Sequence, residues 1–156
     1  MEKPGAPAFV SSIPFPEKKS ETLVICCGDH RYRAQIEDFL RNGLKLTAFD
    51  ELVVPGGAEF LFAAAHLPKF EWAGRRWLRF LVEHHGLREI ICIAHEDCGW
   101  YKNLMVGPLN LSFLKDRQLS DLRKVPAALH EVVPGLRVRL FFARCNEKGQ
   151  VEFVSI

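Results

Sequence analysis

The chain has 156 residues, 48% hydrophobic and 26% charged, which is enough apolar material for one buried core and too much for a disordered segment. Lys and Arg number 21 against 19 Asp and Glu, and the resulting formal charge of +2 gives no electrostatic argument for a nucleic-acid or membrane partner. The apolar runs fall far short of the roughly 20 residues that span a bilayer, and the N-terminus has no charged-then-apolar leader pattern, so the expectation is a cytoplasmic protein.

Residues 1–20 carry Pro4, Pro7, Pro14 and Pro16 among Lys, Glu and Ser. That composition disfavours helix and central strand alike, and predicts an extended arm ahead of a single domain over 21–156. From Thr22 the run TLVICC is continuous, apolar and β-branched, as in a strand covered on both faces. Ala34, Ile36, Phe39 and Leu40 then share one face of a predicted helix over 32–42, and Gly43 stands where a left-handed cap ends a helix. Residues 44–54 read as a second strand closed by Pro55-Gly56-Gly57. The segments AEFLFAAAHL and FEWAGRRWLRFLVEHHG read as two helices, the second stopped at Gly86. Its Arg75, Arg76 and Arg79 belong to an amphipathic pattern with a solvated face, and His84 and His85 suit the negative end of the helix dipole. Residues 88–94 form another buried strand. After an irregular stretch, Ser120 or Asp121 is predicted to cap a last helix that Pro126 kinks or restarts. Residues 136–143 and 151–155 alternate about the turn-like NEKGQ and predict a C-terminal hairpin or edge pair. This order of elements implies an α/β fold, a mainly parallel central β-sheet flanked by helices.

The five cysteines, Cys26, Cys27, Cys92, Cys98 and Cys145, are odd in number and lack the dense spacing of a secreted disulfide framework. Cys26 and Cys92 fall inside apolar strands and read as core residues. In an open α/β sheet the loops at the carboxyl ends of neighbouring strands converge on ligands, and two such loops stand out. Cys27-Gly28-Asp29-His30-Arg31 follows the first strand, and His95-Glu96-Asp97-Cys98-Gly99 follows the later buried one. An extended exit puts Cys27, Asp29 and Arg31 on one side, while His95 and Cys98, three apart, can share one centre. Two thiolates and an imidazole suit zinc.

The pattern C-x-D-x-R followed by H-x-x-C-G after a buried strand resembles the β-class carbonic anhydrase family from about Thr22 to the C-terminus, in a form with an HEDCG motif. The resemblance implies a parallel-rich α/β sheet, a homodimer or higher homo-oligomer, and Zn2+ held by Cys27, His95 and Cys98. It also implies an Asp29–Arg31 dyad that controls the fourth coordination position, with Asp29 itself the ligand in a closed state, and it places Gly56 and Gly57 beside the metal. Tyr101, just past the second motif, is a pocket or interface candidate. The implied activity is reversible hydration of carbon dioxide to bicarbonate. His30, beside the dyad, is either a proton relay or an exposed loop histidine.

Other readings share these residues. Asp29 can cap a helix starting near Arg31. With Asp29 permanently on zinc the protein would be a non-catalytic, zinc-stabilised module, because closed four-ligand sites are structural. Carbonyl sulfide and carbon disulfide are alternative small substrates. Cys27 and Arg33 also have the spacing of the anion-cradling loop in cysteine phosphatases and rhodanese-like sulfurtransferases, although Asp29 would place negative charge in that anion site and His95 and Cys98 would be unused.

Overall fold

A computed structural model describes residues 5–65, 67–104 and 111–156. The five strands are β1 (Thr22–Cys26), β2 (Asp50–Val53), β3 (Glu89–His95), β4 (Arg137–Cys145) and β5 (Val151–Ser155). They form one sheet in the order β2-β1-β3-β4-β5. β1 pairs in parallel with β2 and β3, and β3 with β4, while β5 returns antiparallel on β4 as the C-terminal edge hairpin. The α/β class and the mainly parallel sheet expected from the order of elements are what the chain adopts.

The period of two along each strand divides the core into two layers. Leu23, Ile25, Ile90, Cys92 and Phe142 face one side and pack with Phe60, Leu78, Leu122, Val125 and Leu129. Val24, Cys26, Ile91, Ile93 and Phe141 face the other side, against Tyr32, Ile36 and Leu40. Cys26 and Cys92 are buried in these layers, as their setting in the strands suggests.

Four α-helices flank the sheet: α1 (Arg33–Asp38), α2 (Pro68–His85), α3 (Gly99–Leu104) and α4 (Leu111–Val132). α2 ends at Gly86, whose φ of 71° and amide bond to the Val82 carbonyl make the left-handed cap that glycine adopts without a Cβ penalty. Several elements differ from the sequence reading. The first helical segment is composite: a 3-10 turn over His30–Tyr32, then α1, then a π-turn over Phe39–Gly43 in which the Leu44 amide bonds the Phe39 carbonyl at 2.8 Å. Gly43 is therefore no left-handed cap. It is glycine because a Cβ there would lie 2.8 Å from the Phe39 ring. Strand β2 covers only Asp50–Val53, since the residues before it wrap the π-turn and the Leu46 amide bonds the Leu40 carbonyl.

The run after Gly56 is a 3-10 helix over Gly57–Ala65 rather than an α-helix. It is clamped because a Cβ at Gly74 of α2 would lie 2.3 Å from the Phe60 ring, so two elements approach where only glycine fits. α4 starts well before Ser120 and runs through Pro126. Proline in a helix interior costs about 3 kcal/mol. Leu122, Val125, Leu129 and Val132 are all buried on one face of α4, and at about 1.5–3 kcal/mol for each side chain they outweigh it. Asp121 does not cap this helix; it is 3% exposed and pairs with Arg117 and Lys124 one turn to either side. No helix among the described residues is long and apolar enough to cross a membrane.

Candidate metal centre

β1 and β3 are parallel neighbours, with Cys26 opposite Ile93, so both chains leave the sheet side by side at the same edge. Cys27 is the first residue past β1, and His95 is the last of β3. Asp97 then takes a left-handed φ of 57°, which reverses the chain within two residues and returns Cys98 beneath the turn. Glycine, asparagine and aspartate are the residues that tolerate this conformation. The result is that Sγ of Cys27, Sγ of Cys98 and a ring nitrogen of His95 all lie within 4.8 Å of one another. The two sulfurs are 3.9 Å apart.

His95 is 2% exposed. Its Nδ1 lies 2.8 Å from the Glu96 carbonyl oxygen, an acceptor, so Nδ1 is the donor and Nε2 carries the free lone pair. Nε2 is buried and has no hydrogen-bond partner. A buried polar atom left unpaired is costly and rare, whereas a metal-ligating histidine has this arrangement, with one nitrogen donated to a carbonyl and the other free. The Tyr32 ring packs 4.4 Å from the imidazole. From α4, Gln118 Nε2 donates to the His95 carbonyl at 2.7 Å. The donor set of two sulfurs and one nitrogen fits a zinc-type ion.

The two thiols are unequal. Cys27 is held below the ordinary thiol range, chiefly by its contact with Cys98 and further by the Gly56 and Asp29 amides, against the cost of burial. Cys98 is pushed up as the donor in that contact and by its own burial. The Gly56-Gly57 turn follows from this closeness: the two residues have φ of 74° and 59°, and a Cβ on Gly57 would sit 3.5 Å from the Cys27 nitrogen. A Cβ on Gly56 would lie 2.3 Å from the Trp100 ring, whose Nε1 donates to Glu59 at 2.9 Å.

Asp29 is the N-cap of the 3-10 turn, accepting from the Arg31 amide at 3.0 Å. Its carboxylate also takes the Arg31 fork, from Nε at 3.0 Å and Nη2 at 2.6 Å. The capping role and the dyad therefore coexist, and the guanidinium holds the Asp29 carboxyl well below the usual range. Asp29 lies outside the close group of three. His30 is exposed. Arg33, which an anion cradle over Cys27 would need, instead gives a bidentate pair to Glu51 at 2.5 and 2.7 Å.

Tyr101 is buried and packs with Cys98 and Leu114. It lines a 390 Å³ cleft with Glu59, Asn103, Phe113 and Arg117 that includes none of the three donors, and with Gly56 and Glu59 it also borders a second, narrower gap. Outside the site, Arg75 pairs with Glu71 and His85 with Asp50. Asp97, Gln118 and Tyr32 were not singled out by sequence reasoning. Asp97 had a signal, since it sits between two donor residues; Gln118, on a distant helix, had none.

No protein-family model matches the chain. An uncharacterized protein of Rickettsia conorii is 26% identical over 131 residues, covering 79% of this chain and 67% of that one. Among solved structures, β-carbonic anhydrase isoform I of Trichomonas vaginalis superposes with a TM-score of 0.55 at 9% identity, over 93% of this chain and 88% of that one. The β-carbonic anhydrase CafD of Aspergillus fumigatus gives 0.48 at 13% identity, over 93% and 94%. The chain has the α/β fold seen in β-carbonic anhydrases, and at the carboxyl edge of its sheet Cys27, His95 and Cys98 lie close enough to bind one metal ion.

Proposed function

We propose that the protein is a zinc-dependent, β-carbonic anhydrase-like lyase that reversibly hydrates carbon dioxide to bicarbonate, with Cys27, His95 and Cys98 as the zinc ligands. The single observation that supports this most is the buried His95 Nε2, without a hydrogen-bond partner, on a residue that forms with the two cysteine sulfurs a group whose donor atoms lie within 4.8 Å of one another. Zinc, when bound, supplies a Lewis acid that lowers the pKa of a coordinated water. Two thiolates neutralise its formal charge and blunt that effect, so neighbouring groups matter more than at a site with three imidazoles.

Asp29 and Arg31 are those neighbours. With its carboxyl held far below neutrality, Asp29 stays an acceptor throughout the working range, orienting a donor rather than taking its proton. Arg31, permanently charged, retains Asp29 through the bidentate fork and keeps the fourth metal position free. The Asp29 carboxylate resting on Arg31 favours this open arrangement over the closed, non-catalytic module. A homo-oligomer accompanies the reading, as does a soluble, cytoplasmic setting.

Elemental analysis of purified protein is expected to give one zinc per chain, lost in Cys98→Ser. Stopped-flow hydration of carbon dioxide between pH 6.5 and 9 is expected to exceed the buffer blank, and to fall at least about tenfold in Asp29→Asn and Arg31→Ala, the scale for one positioned acid–base group being 10²–10⁴. Wild type matching the blank with zinc retained refutes the enzyme. Carbonyl sulfide and carbon disulfide run in the same series identify the substrate if carbon dioxide is not turned over.

A further inference from the structure

Arg31 makes a second set of contacts that the dyad does not require. Its Nη1 donates to Asp97 Oδ2 at 3.1 Å, and Nη2 reaches the Asp97 backbone oxygen at 3.4 Å. The other oxygen of Asp97 is taken by Lys102, in the last turn of α3. Asp97 lies between His95 and Cys98 and holds the left-handed φ of 57°, so its carboxylate is fixed by the same turn that presents two of the three donors. The guanidinium is therefore pinned between two carboxylates from different loops, Asp29 after β1 and Asp97 after β3.

We infer that Asp97 is a positioning residue for the metal site: it tethers Arg31 to the metal-bearing loop and thereby holds Asp29 off the fourth coordination position. The inference rests on the reading of Cys27, His95 and Cys98 as metal ligands. Asp29 is tied to Arg31 by two strong contacts and an amide bond, so it reaches a metal only by leaving that fork or by drawing Arg31 along. With Nη1 and Nη2 also anchored on the loop of Asp97, drawing Arg31 along breaks both of its contacts to Asp97. Without Asp97 the half-exposed Arg31 side chain follows Asp29 inward, and the closed arrangement becomes accessible. Asp97 touches neither metal nor substrate, so its effect passes through Arg31.

The test uses Co2+-loaded full-length protein, with azide as a probe for a free coordination position read from the visible spectrum. Asp97→Asn and Asp97→Gly both accept a left-handed φ, so the turn survives while the charge, or the whole side chain, is lost. In Asp97→Gly the apparent azide affinity is expected to weaken about tenfold, the value for a site closed nine-tenths of the time. Zinc release to a chelator is expected to slow, because a fourth protein ligand now holds the ion. Asp29→Asn combined with Asp97→Gly is expected to restore azide binding. A merely structural role predicts the opposite for release, a loosened loop that sheds zinc faster. Unchanged azide affinity, faster zinc release, or failure of the double variant to recover overturns the inference. A wild-type protein that binds neither Co2+ nor Zn2+ overturns the metal-site reading itself.

Discussion

Position 56 allows the cost of a glycine to be separated into backbone and contact parts. Gly56 and Gly86 share nearly the same φ, 74° and 71°, but a Cβ at Gly86 meets nothing within 4 Å, whereas at Gly56 it would lie 2.3, 2.9 and 3.1 Å from Trp100 Cδ1, Nε1 and Cγ. Gly86→Ala therefore carries only the left-handed penalty, about 1–2 kcal/mol. Gly56→Ala adds overpacking, about 1–3 kcal/mol, for a total of about 2–5. The indole cannot retreat freely, because Nε1 donates to Glu59 at 2.9 Å and the Phe70 ring lies 5.5 Å away. Urea unfolding of the metal-free protein measures both variants, with unchanged m-values showing that the native state is retained. Trp100→Ala removes the ring, so the Gly56→Ala/Trp100→Ala double variant is expected to lose about 1–3 kcal/mol less than the sum of its singles. If Gly56→Ala costs no more than Gly86→Ala, or the coupling lies within about 0.5 kcal/mol of zero, Trp100 is not the reason this position is glycine.

Adjacent cysteines are expected to behave oppositely: Cys27→Ser loses bound zinc on elemental analysis, while Cys26→Ser, at a side chain 1% exposed with its thiol pushed up to about 12 by burial, keeps the metal but loses about 1–3 kcal/mol in urea unfolding for an unpaired buried hydroxyl. Gly74→Ala gains about 1 kcal/mol of helix propensity but forces a Cβ to 2.3 Å from Phe60, and is expected to lower Tm; a rise would show that the 3-10 segment yields easily. For pH dependence, Arg31 holds Asp29 below the ordinary carboxyl value, and Lys102 and then Arg31 do the same for Asp97. Depressed carboxyls favour the folded state above their unfolded pKa of about 3.9 and lose that contribution as pH falls below it. Arg31→Ala is therefore expected to flatten the fall of stability below about pH 4, followed by chemical denaturation, and an acid limb identical to wild type would refute the coupling.

The parts of the fold readable in the sequence are those where one physical demand dominated. Residues 23–26 and 90–94 are apolar on both faces, as a covered parallel strand requires, and Gly86 follows a long amphipathic run where a left-handed cap is needed. The run over 57–65 misled because apolar content does not distinguish a 3-10 from an α-helix. The choice lies in the Phe60–Gly74 contact, between residues 14 apart on different elements. The start of α4 was missed for a similar reason. Asp121 has the chemistry of a cap, but its Arg117 and Lys124 partners at one-turn spacing describe an interior helical position, a pattern the sequence does contain. The candidate site was legible because Cys27 and His95 end adjacent parallel strands, so the topology alone brings them together across 68 positions.

Asp97 stood in plain view between two donor residues, yet its role depends on a backbone angle and on which way a long arginine reaches, neither of which periodicity encodes. Its geometry also argues against a stabilising purpose. Arg31 and Asp97 are 51% and 40% exposed, and half-exposed ion pairs gain little net energy because water and salt screen them while ordering long side chains costs entropy. A network of that kind, built on a strained left-handed residue, is an inefficient way to hold a sheet that already buries both faces of β1 and β3. What it does accomplish is positional: among the described residues it joins the loop after β1 to the loop after β3 through one guanidinium, beside the atoms able to share a metal. Strain and exposed charge placed together at such a point are spent on orientation, and the orientation fixed here is that of Asp29.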